Sequence, residues 1–338
     1  MTLLTYVVRR TLLSAFVIFF VLLIVFILSH SISDNPIAAW MGRAAGMYPE
    51  LAEVYRAKYH LDEPLYIQFW YYLSGVLQGD LGYSVSKREL VSAVIARTLP
   101  YTIQIVSLAF LVTVLLGIPC GILSGRYANK KLDHGIRTIY MAGISSPPFF
   151  LALILMIVFS YTFQILPTGG AISPTLSLPT KITGFIILDS MLTRNWVVFF
   201  DASRRLIMPA MALALINFGY VTRILRSSIL DVMNTNYIRT ARAKGLSERA
   251  VFAKHALRNA LISVITIVSF ITSWLVAGSI FVESIFQYPG IGLFAIKALN
   301  ILDYPGILGV TLIFALIMII ANLIADILYA IANPSITI

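Results

Sequence analysis

The sequence predicts an all-α, polytopic membrane protein with six transmembrane helices and with both termini in the cytoplasm. Of its 338 residues, 59% are hydrophobic and only 12% are charged, about half the charged fraction of an average soluble domain. The apolar residues form runs long enough to cross the ~30 Å hydrocarbon core, which takes roughly 20 residues. Basic residues are concentrated between alternate runs, and this asymmetry sets the orientation.

Six apolar runs qualify as spans. Arg9 and Arg10 precede the first run, and no small-x-small cleavage site follows it, which favours a retained anchor over a cleaved signal. Residues 145–148, Ser-Ser-Pro-Pro, lie inside the third run, where two prolines remove amide donors and predict a structural kink in preference to a gate. The runs are residues 11–29, 101–123, 139–166, 206–222, 261–282 and 307–331.

One further run, residues 182–200, is interrupted by Asp189, Arg194 and Asn195. We interpret it as an outer-surface loop with interfacial pieces and not as a seventh span. The spans then divide the chain into three regions. These are residues 1–30, an inner tail and the first span; residues 31–100, an extracellular segment with amphipathic helices; and residues 101–338, a membrane core with a cytoplasmic loop at about 223–259.

The charge pattern gives the orientation in the cell membrane. The predicted inner segments contain 14 Lys and Arg and three acidic residues, whereas the outer segments contain 11 of each sign. The formal net charge of +10 is therefore almost wholly an inner-face charge, as the positive-inside rule expects. Anionic lipid and a cytosolic partner explain this charge better than nucleic acid does.

The extracellular segment carries a helical pattern after Pro64. Six apolar residues share one face there, and Trp40, Trp70, Tyr71 and Tyr72 suit a membrane–water boundary. We predict a helical cap that lies on the membrane surface, with a solvated loop as the alternative, followed by a turn at residues 78–82. The six apolar residues are Leu65, Phe69, Tyr72, Leu73, Val76 and Leu77.

Two features within the spans have two interpretations each. Gly117, Gly121 and Gly125 recur every four residues and form a stripe that another helix can approach closely. That helix can belong to this chain or to a second subunit.

Asp326 lies near the inner end of the last run. An acidic residue at that position either has a function or extends its side chain to the membrane interface.

The sequence predicts neither catalysis nor a metal or cofactor site in this chain. It contains no Gly-Lys pair, so a phosphate-binding P-loop is excluded. The motif Gly290-x-Gly292-x-x-Ala295 follows a span and not a strand, so it is not a dinucleotide site. The single Cys120 and the four histidines, His30, His60, His134 and His255, have no metal-ligand spacing.

The cytoplasmic loop carries the most informative pattern. Residues 223–259 contain eight Lys and Arg and two acidic residues. Residues 237–243 can form a short helix with Ile238, Ala241 and Arg242 on one face, and Gly245 is suited to end it in a left-handed conformation. Ser247 can cap a second helix. From the residues alone, a lever for a cytosolic motor and a loop that only sets topology are both open.

The segment Tyr-Ile-Arg-Thr-Ala-Arg-Ala-Lys-Gly-Leu-Ser at 237–247, with His-Ala-Leu-Arg-Asn-Ala at 255–260, resembles the coupling loop of dipeptide/oligopeptide-type ABC importer permeases. The general motif is Glu-Ala-Ala, three residues, Gly, nine residues, Ile-x-Leu-Pro. Its departures here are typical of the peptide-type subfamily. The matching positions are Arg239, Thr240, Ala241, Gly245, His255, Leu257 and Arg258.

The resemblance extends over nearly the whole chain. Outer-segment motifs are similar at residues 61–64, 79–84 and 97–100. The link between the last two spans is similar at 282–292 and 303–305, and the final helix is similar at 322–329. The tail departs from the family pattern, since residues 333–336 read Asn-Pro-Ser-Ile where Asp-Pro-Arg-Ile is expected.

The resemblance implies the type I ABC importer permease fold and one half of a translocation pathway for di- and oligopeptides. It implies four kinds of partner: a second homologous permease, two cytosolic ATPase subunits that bind ATP and Mg²⁺, an external solute-binding protein, and the lipid bilayer. Oligosaccharides or nickel chelates are alternative cargoes. An ion-coupled secondary transporter is the alternative of another class, although repeated halves and midplane ionisable residues are missing.

The resemblance also implies roles for individual residues. Glu283 and the Tyr-Pro-Gly segment at 288–290 are expected near the external mouth. The expected ATPase contacts are Tyr237, Ile238, Arg239, Thr240, Ala241, Arg242, Ala243, Lys244, Gly245, Leu246 and Ser247. The candidates for the translocation path are Asn217, Ser269, Thr272, Trp274 and Glu283.

Overall fold

The computed structural model describes residues 3–31, 37 and 48–332, and these residues form helices with one two-stranded antiparallel hairpin. The helices are α1 (Leu3–Ser31), α2 (Pro49–Tyr59), α3 (Leu65–Leu77), α4 (Val91–Arg126), α5 (Lys131–Ile144), α6 (Pro148–Met156), α7 (Ile186–Leu192), α8 (Trp196–Met233), α9 (Asn236–Ala243), α10 (Glu248–Ala250), α11 (Arg258–Ile285), α12 (Ile291–Ile301) and α13 (Tyr304–Ala332). The strands are β1 (Tyr83–Ser84) and β2 (Glu89–Leu90), and π-helical turns extend α6 (Ile157–Thr162) and precede α11 (Val251–Leu257).

Among the described residues, five helices are long and apolar enough to cross a membrane: α1, α4, α8, α13 and the continuous helix formed by α10, the second π-helical turn and α11. The pair α5 and α6 qualifies as a sixth span if the two helices are counted together, and they meet at 106°. The bend falls at residues 145–147, so the predicted break before Pro148 is confirmed.

The direction of α8 shows that the bent pair crosses the membrane. Added Cβ atoms on Gly117, Gly121 and Gly125 would approach Val221, Leu225 and Ile229 in turn, at 2.7, 2.9 and 3.0 Å from their Cβ atoms. The residue numbers of the facing pairs increase in the same direction along both helices, so α4 and α8 run parallel. Because α8 begins at the end of the membrane opposite to the one where α4 stops, residues 127–195 must return across it. The described part of the chain thus has six crossings, with the bent pair counted as one, and the glycine stripe is covered by a helix of the same chain.

The helices extend beyond the apolar runs. The second run begins at Tyr101, whereas α4 begins at Val91, and the fourth run covers only the middle of α8. Two parts of the segment interpreted as an outer loop are helical: α7 and, from Trp196 onward, the beginning of α8. Hydropathy detects the part of a helix that lies in hydrocarbon, and polar residues continue the same helix outside it.

The outer cap is helical, as predicted, and four of the six residues of the expected face, Phe69, Tyr72, Leu73 and Val76, belong to or pack against one buried cluster. In α3, Phe69 and Tyr72 pack against α1 and α13, whereas Leu65 and Leu77 are exposed. Gln68 takes a place on the buried face because its side-chain amide donates to the backbone carbonyl of Glu63 at 2.7 Å. The turn at residues 78–82 is confirmed, with Gly79 and Gly82 at positive φ. Trp40 and the tail at 333–336 lie outside the described residues.

A buried ion pair joins three helices at the inner end. Asp133, at the start of α5, is fully buried and accepts two 2.8 Å bonds from the guanidinium of Arg226 in α8. The same carboxylate accepts the hydroxyl of Ser124 in α4 and, at 2.8 Å, the backbone N–H of Asn129. These bonds fix the α4–α5 turn against α8 close to the cytoplasmic loop.

Candidate coupling hairpin and translocation cavity

The cytoplasmic loop forms a compact hairpin, here called the coupling hairpin and defined as residues 236–257. Its first arm is α9, which ends where Gly245 adopts φ 78°. Side chains avoid that left-handed conformation, and the predicted glycine turn is confirmed. The hydroxyl of Ser247 accepts the N–H of Ala250 at 3.4 Å and caps the second arm, also as predicted.

A small hydrophobic core holds the two arms together. Ile238 and Ala241 from the first arm pack against Val251 and Ala256 from the second, and all four are buried. Met233, at the end of α8, covers this core. The second arm continues without a break into α11. The hairpin is therefore fixed to both α8 and α11, and a displacement of the hairpin must be passed to both helices.

The outer surface of the hairpin is basic. Arg239, Lys244, Arg249 and Lys254 are exposed, and so are the larger side chains of Tyr237 and Leu246. The expectation that Arg242 shares the face of Ile238 and Ala241 needs correction, because Arg242 is exposed and pairs with Glu248, Nε to Oε1 at 2.8 Å. The remaining members of the predicted set, Thr240, Ala243 and Ser247, are exposed as well.

A cavity of about 500 Å³ lies between the bend of the third span, α8 and α11. Its wall is mostly apolar and aromatic, and the described residues that line it include no charged side chain. Trp274 is 73% exposed, and Phe270 and Phe281 lie on the same stripe of α11. The side-chain amide of Asn217 donates to the carbonyl of Leu213 at 2.8 Å. This cavity adjoins the two helices that carry the coupling hairpin.

The structure brings together only part of the predicted path set. Asn217 and Trp274 line the cavity, whereas Thr272 does not line it and donates to the carbonyl of Val268 at 3.3 Å. The side chain of Ser269 lies outside the described residues, as does that of Asp326. Sequence reasoning missed Tyr220, Phe270 and Phe281. The signal for the two phenylalanines was their helical spacing around Trp274, which places them on one face.

Glu283 lies apart from this cavity and is fully buried near the outer end of α11. Its Oε2 accepts the backbone N–H of Leu293, in the first turn of α12, at 3.1 Å. The adjacent N–H of Ile291 donates to the hydroxyl of Thr102 in α4 at 2.8 Å. Gly290 leaves room for this arrangement, because a Cβ there would overlap the Glu283 carboxylate. Glu283 thus joins α11 to the start of α12.

A second outer junction joins segments about 220 residues apart in sequence. The carboxylate of Asp303, which is buried between α12 and α13, accepts the hydroxyl of Ser84 and the N–H of Ser86 at 3.1 Å. Nearby, a Cβ on Gly82 would come within 3.1 Å of Pro305. The second junction connects the outer-segment motif at 79–84 to the link between the last two spans at 303–305, and the first connects that link to α4.

These structural features together define a class of protein. The chain is a polytopic helical membrane protein with an uncharged cavity between its helices and a basic cytoplasmic hairpin fixed to two spans. Within residues 3–31, 37 and 48–332, no three His, Cys, Asp or Glu side chains are grouped to hold a metal ion. Such an arrangement is typical of a transport permease.

Comparison with known proteins gives the family. Residues 117–338 match the family described as the binding-protein-dependent transport system inner membrane component, and residues 3–108 match the corresponding N-terminal region. The chain belongs to this family. It is a multi-pass inner-membrane permease component of a binding-protein-dependent transport system and is not an enzyme.

Individual relatives are similar over almost their full length. The probable D,D-dipeptide transport system permease of Escherichia coli K12 is 38% identical over 316 residues, which cover 94% of this chain and 92% of the relative. The di/tripeptide transport system permease of Pseudomonas aeruginosa is 36% identical, with 98% of both chains covered. The oligopeptide transport system permease of Bacillus subtilis is also 36% identical, again with 98% of both covered.

Proposed function

We propose that this chain forms one half of the translocation pathway of an ATP-driven importer of di- and oligopeptides. Its partners are a second, homologous permease, two cytosolic ATPase subunits and an external solute-binding protein. The peptide cargo follows from the names of the relatives at 36–38% identity. ATP and Mg²⁺ are bound by the ATPase subunits, and this chain converts their motion into alternating access.

The observation that carries the proposal is the attachment of the coupling hairpin. Its core packs against the end of α8, and its second arm continues into α11. The same two helices form most of the cavity wall. An ATPase that moved the hairpin would therefore change the shape of the cavity directly, without an intervening flexible loop.

The surface of the hairpin suits a protein groove. Tyr237 and Leu246 are exposed by 43% and 41%, and basic side chains surround them. Exposed apolar side chains within a polar rim are the usual anchors of protein interfaces. We assign Leu246 as the apolar anchor and Arg239 and Lys244 as rim contacts to acidic residues of the ATPase. Arg242 has a different role, because its pair with Glu248 braces the hairpin.

The cavity suits a cargo whose side chains vary. Its aromatic and aliphatic wall offers no fixed charge among the described residues, and Asn217 and Ser146 supply polar atoms. A path without a charged group binds no particular side chain tightly, and a cargo can leave it again. The second permease would supply the opposite wall, facing Trp274 and Phe270. We place Glu283 outside the path, as a structural carboxylate of the outer end.

The test combines assembly with transport. A tagged chain is purified from its native membrane in mild detergent and the co-purifying proteins are identified by mass spectrometry. The purified assembly is then reconstituted in vesicles, and the uptake of a labelled dipeptide, an oligosaccharide and a nickel chelate is measured. We expect a second permease, an ATPase, a binding protein and ATP-dependent uptake of the peptide alone.

Matched variants locate the coupling surface. Leu246→Asp should lose the ATPase and peptide uptake, whereas Leu246→Met should retain both. Equal melting temperatures of the two variants exclude a folding defect. Uptake driven by an ion gradient without ATPase subunits would instead support a secondary transporter, and uptake of another cargo would overturn the peptide assignment.

A further inference from the structure

Three cationic side chains face one cavity at the outer end of the molecule. Lys87 lies in the turn between β1 and β2, Arg97 on α4 and Lys297 on α12. The cavity has a volume of about 560 Å³, and none of the described residues that line it is acidic. We call this cavity and its three cations the outer basic socket. The socket shares no lining residue with the cavity between the bend of the third span, α8 and α11.

The charge of the socket is only partly balanced. Arg97 pairs with Glu89, with Nη1 and Oε2 3.3 Å apart. Lys87 and Lys297 have no ion-pair partner among the residues that the structure describes. Burial, followed by the positive charges of Lys297 and Arg97, lowers the pKa of Lys87 below its ordinary value, and Glu89 opposes this only in part. An anion bound at the socket would relieve the repulsion.

The socket also stands out against its surroundings. The outer segments contain equal numbers of basic and acidic residues, so a local excess of positive charge is not a general property of this face. A neighbouring cavity of about 500 Å³ shares Arg97, Tyr101 and Leu178 with the socket, but there Arg97 and Lys181 are balanced by Glu89 and Asp189. Exposed charges that cluster around a concave surface attract an oppositely charged partner over a distance.

We infer that the outer basic socket docks a protruding acidic segment of the external solute-binding protein. The inference rests on the proposed function, which supplies that partner. A protein fits better than a bound cargo molecule, because the cations are exposed and come from three separate segments, whereas cargo sites enclose a few polar groups within apolar walls. Charge complementarity of this kind acts mainly on the association rate and on specificity.

The first test measures association. The assembled transporter in lipid nanodiscs is exposed to its purified binding protein, and association rates are recorded at low and high salt. Lys87→Glu with Lys297→Glu should slow association by about tenfold or more at low salt and flatten the salt dependence. Replacing both lysines with Gln should give an intermediate effect, which separates lost attraction from misfolding.

The control is Arg194→Glu, compared with the single reversal Lys297→Glu, because each of these variants changes the net charge by two. Arg194 is an exposed outer residue that follows α7 and lines neither cavity, so its reversal changes the net charge by two without touching the socket. It should leave the association rate within about twofold of wild type. An equal loss in this control would show that only overall charge matters and would overturn the assignment of the socket.

The second test identifies the contact. A carbodiimide joins an amine directly to a carboxylate that is paired with it, without a spacer. Mass spectrometry of the treated complex should find Lys87 or Lys297 linked to an Asp or Glu of the binding protein. A link to the cargo carboxylate, or slower uptake of peptides with unchanged association of the binding protein, would show a cargo site and overturn the proposal.

The experiment distinguishes a failure of the proposed importer function from a failure of the docking inference. If the chain were not part of an ABC importer, the wild-type preparation would contain no ATPase and would bind no solute-binding protein at any salt concentration. If only the docking inference were wrong, the wild type would bind the protein and the lysine variants would bind it equally fast.

Discussion

Removing the charge of Asp133 should be among the most damaging single changes in the inner half of the protein. Asp133 is fully buried and Arg226 is only 17% exposed. Asp133→Asn keeps an oxygen for Ser124 or for the N–H of Asn129 but leaves the guanidinium without its counter-charge. Breaking a buried pair in this way costs about 3–5 kcal/mol. Adding Arg226→Met removes the unpaired charge and should restore about 2 kcal/mol of that loss.

The assay is the free energy of unfolding in mixed micelles, titrated with a denaturing detergent, for the wild type, both single variants and the double variant. Lys58→Met is the control. Lys58 is 48% exposed and pairs with Asp80, 43% exposed, at 2.9 Å, so its loss should cost no more than about 1 kcal/mol. The reasoning is refuted if Asp133→Asn costs no more than the control, or if the double variant is less stable than Asp133→Asn.

Three further predictions concern single positions. Gly245→Val should abolish ATPase co-purification because the turn needs φ 78°, whereas Gly245→Asn, which tolerates that conformation, should retain it. Gly121→Leu should lower the melting temperature by forcing α4 away from Leu225, and Leu225→Ala in the same chain should recover part of the loss. Burial would raise the pKa of Asp189, but hydrogen bonds from Thr183 outweigh it and lower the pKa. The ionised Asp189 carboxylate therefore stabilises the fold fully above the ordinary pKa of aspartate. This stabilisation is lost as the pH falls through the lower pKa that Asp189 has in the folded state. The hydrogen-exchange protection factors of residues 182–193, taken relative to the intrinsic rate at each pH, should fall below about pH 4, and Asp189→Asn should remove that dependence.

The spans and the coupling hairpin could be predicted because their signals are local. Two prolines specify the break before α6, and Gly245 and Ser247 specify the turn and the cap of the hairpin. The lengths of the helices could not be read from hydropathy. The first ten residues of α4 include one charged residue, Arg97, and two hydroxyl residues among small and apolar ones, and the apolar ones pack against α12 and α13.

The tertiary junctions could not be predicted from one sequence. Nothing near Ser84 indicates that its partner is Asp303, and nothing near Thr102 indicates the N–H of Ile291. The outer motifs resemble those of the family as separate segments, and only the folded chain shows that they bond to one another. The cavity was partly foreseen, through Asn217 and Trp274, because both interrupt or flank an apolar helical face.

The bend in the third span has a consequence for the lipid around it. Its outer arm consists of the nine residues of α6 and the six of the π-helical turn, which reach roughly 22 Å at 1.5 Å per residue. Because the chain bends by 106° between α5 and this arm, α5 adds little to the reach. The non-helical backbone beyond the arm is bonded within the protein, for example at the carbonyl of Leu166, which accepts the hydroxyl of Ser160 at 2.8 Å. The hydrocarbon is ~30 Å thick, so the helical arm by itself is shorter than the hydrocarbon by about 8 Å, and thinning the bilayer to match it would cost fractions of a kcal/mol per Å. Acyl-chain length would therefore change the mismatch beside the wall of the cavity that contains the bend, and a change in lipid thickness would act on that wall.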